Sequence, residues 1–85
     1  MVNIFLLIEL LKMTDAAATV DHLKALELAN GKFANVLQLN DEKIVAQLDC
    51  DSYDDASKAV LEKIGPIEGI VQTNIIAAVR PAHPK

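Results

Sequence analysis

Ten consecutive positions, Val2 to Leu11 (VNIFLLIELL), are interrupted by polar side chains only at Asn3 and Glu9, so apolar residues fill both alternating sets of a strand. Ile4, Leu6, Ile8 and Leu10 fall on one face, and Phe5, Leu7 and Leu11 on the other. Successive strand side chains point to opposite sides of a sheet, so a strand of this kind requires apolar cover above and below. A chain of 85 residues has material for one cover. The second is expected from another molecule, because oligomerisation is a common route to stability for a domain of this size.

Composition narrows the function classes. Hydrophobic residues make up 52% of the chain and charged residues 24%, which is globular rather than disordered and fits one domain over 1–80 with a flexible tail over 81–85. A net charge of -4 and scattered basic residues exclude direct nucleic-acid binding, which draws on clustered Lys and Arg. Cys50 is the single cysteine, so no internal disulfide can form; this points to a reducing cytoplasm and a structural thiol. The N-terminal apolar run has no basic flank and contains Glu9. It is also shorter than the roughly 20 helical residues a bilayer needs, so neither membrane insertion nor export is expected.

Local signals give the element order. Thr14 or Asp15 can cap a helix running to about Asn30, with Ala16, Val20, Leu23 and Leu26 as its apolar stripe, His22 on its polar side and Gly31 as its C-terminal cap. Lys32 to Leu39 reads as a second strand, with Phe33, Leu37 and Leu39 on one side and Ala34 and Val36 on the other. The polar turn Asn40 to Lys43 leads to a third strand, Ile44 to Leu48. Ser52 followed three residues later by Asp55 marks the start of a second helix with stripe Tyr53, Ala56, Val60 and Ile64, stopped at Gly65-Pro66. After a turn at Gly69, Ile70 to Val79 forms the fourth strand, and a proline-containing tail ends the chain.

Strand, helix, strand, strand, helix, strand is the order of an α+β, ferredoxin-like βαββαβ sandwich: a four-stranded antiparallel sheet with both helices on one face. With strands one and three central, the helix-facing set is Ile4, Leu6, Ile8, Ile44, Ala46, Leu48, Val71 and Ile75. The opposite face then carries Phe5, Leu7, Val45 and Ile76 among Gln47, Gln72 and Asn74. Burying four such apolar side chains contributes roughly 6 to 12 kcal/mol, comparable with the roughly 4 to 15 kcal/mol that association costs. Face-to-face pairing into a dimeric α/β barrel is the expectation, with strand-edge pairing as a further contribution.

No catalytic motif is present. The acidic cluster Asp49, Asp51, Asp54 and Asp55 has the oxygen ligands a hard cation favours, but it lacks the glycine and terminal glutamate of a calcium loop and reads as helix capping. His22 and His83 are isolated from each other and from Cys50, and Pro81 to Pro84 lacks the spacing of a polyproline ligand. No cofactor, metal or enzymatic activity is expected.

The segment Asp51 to Ile76 (DSYDDASKAVLEKIGPIEGIVQTNII) resembles the effector domain of Lrp/AsnC transcription regulators in its acidic helix start, Leu61-Glu62-Lys63-Ile64, Ile67-Glu68-Gly69-Ile70 and Thr73. The resemblance implies a stand-alone, oligomeric regulatory module that takes a small amino-acid-like ligand at a subunit interface. The candidate pocket residues are Asn40, Asp41, Tyr53 and Thr73. Where that family carries a Gly-x-x-Asp element, this chain has Leu39 to Ile44 (LNDEKI), and the family's helix-turn-helix is absent. The chain is also similar to the NapD family of nitrate reductase chaperones in length, element order, the acidic turn before strand three and Ile67 to Ile70. That resemblance implies a sheet face holding a twin-arginine signal peptide.

Overall fold

A computed structural model describes residues 1–80. The expected tail 81–85, with His83 and its prolines, lies outside these residues. Within them run β1 (Val2–Leu10), α1 (Ala16–Ala25), β2 (Gly31–Asn40), β3 (Lys43–Cys50), α2 (Tyr53–Ala59), a five-residue π turn (Val60–Ile64) that continues α2, and β4 (Ile70–Val79). The strands form one antiparallel sheet in the order β2-β3-β1-β4, consistent with the ferredoxin-like type.

The two central strands set the layers. Along β1 every even residue is buried and every odd one half-buried, and β3 alternates in the same way. Cross-strand pairs join like with like: Ile4 faces Leu48, Leu6 faces Ala46 and Ile8 faces Ile44, all fully buried. Ala16, Val20 and Leu23 of α1, Ala56 and Ala59 of α2 and Ile64 of the π turn close over this face in a single cluster. The odd residues of β1 and β3 therefore face away from both helices.

The edge strands depart from strict alternation. The β1–β4 register shifts twice, leaving Val71 and Ile76 as extra residues, and the β2–β3 register shifts at Ala34 and Leu39. Each extra residue reverses the phase of a two-residue repeat. Val71, expected in the core, is consequently 60% exposed, and Ile70 instead pairs with Leu10 and packs against the core. Ile75 keeps its helix-facing place opposite Leu6 and is half-buried. On β2, Phe33 and Val36 share the core side although three residues apart, so Leu37 is turned outward and Leu39 is exposed at the second shift.

The helices differ from their sequence reading at identifiable points. Asp15 is the N-cap of α1, its carboxylate accepting from the Ala18 N–H at 3.0 Å. The helix ends at Ala25 rather than near Asn30, because Leu26 and Leu28 are both partly buried at the two-residue spacing of extended chain, and Leu28 bridges to Gly31. Gly31 is therefore the first residue of β2 and not a helix cap. At α2, Ser52 and Asp55 form the expected cap: the Asp55 N–H donates to Ser52 Oγ at 3.2 Å. Tyr53, placed in the buried stripe by its spacing, is 45% exposed; Ala56, Ala59 and Ile64 carry the burial instead. The π turn shifts the stripe at Val60, whose carbonyl accepts from the Gly65 N–H five residues on, at 2.7 Å.

Gly69 adopts φ +93 before β4, a left-handed conformation that side chains disfavour, and its carbonyl accepts from the Leu11 N–H at 2.8 Å. Gly31 is required for space rather than conformation: a Cβ there would lie 2.7 Å from both the Asp49 carbonyl oxygen and Cys50 Sγ. Gly31→Ala is expected to lower stability by about 1–3 kcal/mol through displacement of β2 from β3, read as a fall in the urea midpoint.

Candidate functional site

The side of the sheet that the helices leave open is a grid of four cross-strand rows. Leu37, Val45, Leu7 and Asn74 form one; Asn35, Gln47, Phe5 and Ala77 the next. Lys32, Asp49, Asn3 and Val79 lie at one end, and Asn40, Lys43, Glu9 and Gln72 at the other. Phe5, Leu7 and Val45 are half-buried, and Leu37 is 61% exposed. An apolar centre is thus bordered by amides and closed at each end by one lysine and one carboxylate.

The amides are not loose. Asn35 Nδ2 donates to Gln47 Oε1 at 3.3 Å, and Gln72 Nε2 donates to Asn74 Oδ1 at 3.2 Å. These exposed side-chain pairs flank the apolar centre on either side. Phe5, Leu7, Val45, Gln47, Gln72 and Asn74 all lie on the open face. Ile76 does not join their rows: it is the extra residue of a register shift on the edge strand, 56% exposed, between Ile75 on the core side and Ala77 on the open side. Leu37, Ala77 and Val79 belong to the face and were not expected there. Only the positions of the shifts at Ala34 and Ile76 identify them, and periodicity carries no such signal.

The four residues considered for a ligand pocket do not converge in one protomer. Asn40 and Asp41 occupy the β2–β3 turn, where Asn40 Oδ1 accepts from the Glu42 N–H at 2.9 Å and so stabilises the hairpin. Tyr53 follows the opposite end of β3, about 23 Å away at strand rise. Thr73 pairs with Ile8 on the helix side of the sheet, with its hydroxyl buried and unpartnered.

A cleft of about 240 Å³ lies on the helix side, between the segment leading into β2 and α2, with Asn30, Gly31, Cys50, Asp55, Lys58 and Glu62 among its lining. Burial raises the pKa of the Cys50 thiol above its ordinary 9.0, and the nearby carboxylates Asp55, Asp51 and Asp49 raise it further. The thiol is therefore protonated near neutrality and a poor nucleophile. Asp55 is engaged on both oxygens, by Asn30 Nδ2 at 3.1 Å and Ser52 Oγ at 2.9 Å. Among the described residues no group of three or more His, Cys, Asp or Glu side chains is placed to hold a metal ion, and no helix is long and apolar enough to cross a membrane.

Comparison with family models, curated proteins and solved structures found no match to this chain.

The raised thiol pKa has a definite sign for stability. The unfolded chain loses the Cys50 proton first as pH rises, so stability is retained below pH 9 and lost as pH climbs toward the folded value. Relative to Cys50→Ala, the wild type should lose stability above about pH 9, as measured by urea unfolding from pH 7 to 10. A difference between the two that does not change with pH would refute the assignment.

Proposed function

We propose that this chain is a non-enzymatic, oligomeric regulatory or ligand-sensing module that works through its helix-free sheet face, in the manner of a stand-alone Lrp/AsnC effector domain in the cytoplasm. On this reading the molecule is a ferredoxin-like sandwich that becomes a dimeric α/β barrel when two sheets meet. The observation that carries the proposal is the apolar centre formed by Phe5, Leu7, Val45 and Leu37, which no helix or strand among the described residues covers. Contiguous apolar surface of this kind, rimmed by polar residues, marks contact sites.

The edges support association through the face rather than through strand addition. Both edge strands, β2 and β4, carry two register shifts each, and bulges of this sort blunt an edge against pairing with another strand. Strand-edge pairing, part of the sequence-based expectation, is therefore set aside. An effector of amino-acid type would need Asn40, Asp41, Tyr53 and Thr73 brought together from different copies, since one protomer separates them. A protonated Cys50 and an Asp55 engaged in capping favour a binding role over an enzymatic one.

The alternative is a NapD-like chaperone that holds a basic signal peptide on the same face. The charges of the face argue against it: Glu9 and Asp49 are balanced by Lys32 and Lys43, so the face offers no net attraction to a twin-arginine segment.

Light scattering tests the proposal. The wild type is expected to be at least dimeric at micromolar concentration. Phe5→Asp and Leu7→Asp should each shift it to monomer with the far-ultraviolet circular dichroism retained, because a carboxylate buried without a partner opposes association strongly. An unchanged mass in both variants would refute a role for this face.

A further inference from the structure

We infer that Asn30 is a site of spontaneous covalent modification: its side-chain amide is lost by ring closure onto the Gly31 nitrogen, and the carboxylate left in its place loosens the junction of β2 with α2. Water is the only reagent. The inference is independent of the proposed function and holds whatever occupies the open face of the sheet.

Sequence and fold together single out this residue. Ring closure needs an unhindered backbone nitrogen on the following residue and a carboxamide able to turn toward it. Asn3, Asn35, Asn40 and Asn74 precede Ile4, Val36, Asp41 and Ile75, and all four are held within strands. Asn30 precedes a glycine and lies, exposed, in the turn that leads into β2. Neither member of the pair is free to vary. Gly31 has no room for a Cβ against the Asp49 carbonyl oxygen and Cys50 Sγ, and Asn30 Nδ2 supplies a hydrogen bond to Asp55 Oδ1 at 3.1 Å. The Asp51 N–H also donates to the Asn30 carbonyl at 3.0 Å. A donor on that carbonyl stabilises the anion formed when the Gly31 nitrogen loses its proton, which is the form that attacks.

The step balances without an oxidant or a second substrate. The Gly31 nitrogen forms a bond to Asn30 Cγ, the Cγ–Nδ2 bond breaks, and ammonia leaves carrying the proton that the Gly31 nitrogen gave up. Water then opens the five-membered imide at either carbonyl, leaving aspartate or isoaspartate at position 30. Both products replace a hydrogen-bond donor by an acceptor-only group facing Asp55 Oδ1. Asp55 is the residue that caps α2 with Ser52, and Asp51 and Asp54 are close along the chain, so the new charge enters an already acidic junction. It also joins the lining of the cleft between the turn and α2. Isoaspartate in addition lengthens the backbone just before Gly31 pairs with Cys50.

Ageing the full chain in neutral buffer, folded and in parallel unfolded in urea, tests the modification, with digestion and mass spectrometry locating each amide converted to acid. In the folded chain Asn30 should convert at least about tenfold faster than any other asparagine. Asn30→Gln, whose longer side chain closes a six-membered ring far less readily, should stay unmodified at that position. A folded chain that keeps Asn30 intact would overturn the inference, whether or not the unfolded chain converts.

The consequence is read from two variants and from the aged wild type itself, its modified fraction separated by ion exchange. Asn30→Ala loses only the hydrogen bond, whereas Asn30→Asp also adds the charge. Asn30→Asp and the modified wild type should both unfold at lower urea than Asn30→Ala, and the gap should shrink as salt rises from about 0.05 to 0.5 M, where screening shortens the reach of charge. Equal midpoints, or a gap indifferent to salt, would overturn the loosening.

Discussion

The pairing of β1 with β3 is the constraint on which the rest of the molecule depends. Ile4, Leu6 and Ile8 lie against Leu48, Ala46 and Ile44 with no solvent exposure, and removing any one of the large side chains would leave a cavity costing about 2–5 kcal/mol. Because a strand alternates strictly, burying the even residues of both strands turns Phe5, Leu7, Val45 and Gln47 to the other side. The helices have one layer to cover and they cover it. The open apolar face is thus a geometric consequence of how the core is sealed, and a chain that placed polar residues at positions 5, 7 and 45 would retain the same core.

Much of this architecture is legible in the sequence where one residue controls one feature. Asp15 and Ser52 mark helix starts because their side chains satisfy orphan N–H groups. Gly69 marks a turn because few other residues adopt its φ. Val2 to Leu11 announces a strand needing cover on both sides, and β1 occupies the inner position that this implies.

What the sequence conceals is the register of the edge strands. Ala34, Leu39, Val71 and Ile76 are ordinary strand residues, and nothing in their chemistry marks them as extra. They are defined only by how the edge strands pair with the central two, which is a tertiary property. For that reason the repeat groups Leu37 with Phe33 and places Val71 in the core, whereas the faces read for Ile4 to Leu10 and for Ile44 to Leu48 agree with the structure; Leu11, read as part of the first strand, lies just beyond its end. The early end of α1 has a similar origin: Leu26 lies on the helical stripe, but Leu28 also reaches the core, and extended chain accommodates both. The candidate pocket residues lie apart within one protomer for a different reason. Its members were grouped through family likeness, and the fold sends Tyr53 and the Asn40–Asp41 turn to opposite ends of the sheet.

Function then comes down to whether water reaches the middle of the open face. The most direct measurement is the relaxation that a neutral, soluble paramagnetic probe induces in the methyl groups of Leu7, Val45 and Leu37, followed by nuclear magnetic resonance over a dilution series. Burial against a second copy predicts weak relaxation at high concentration that rises on dilution, while exposed methyls away from the face, such as those of Leu61, stay strongly relaxed throughout. Strong relaxation of all three face residues at every concentration would contradict the account.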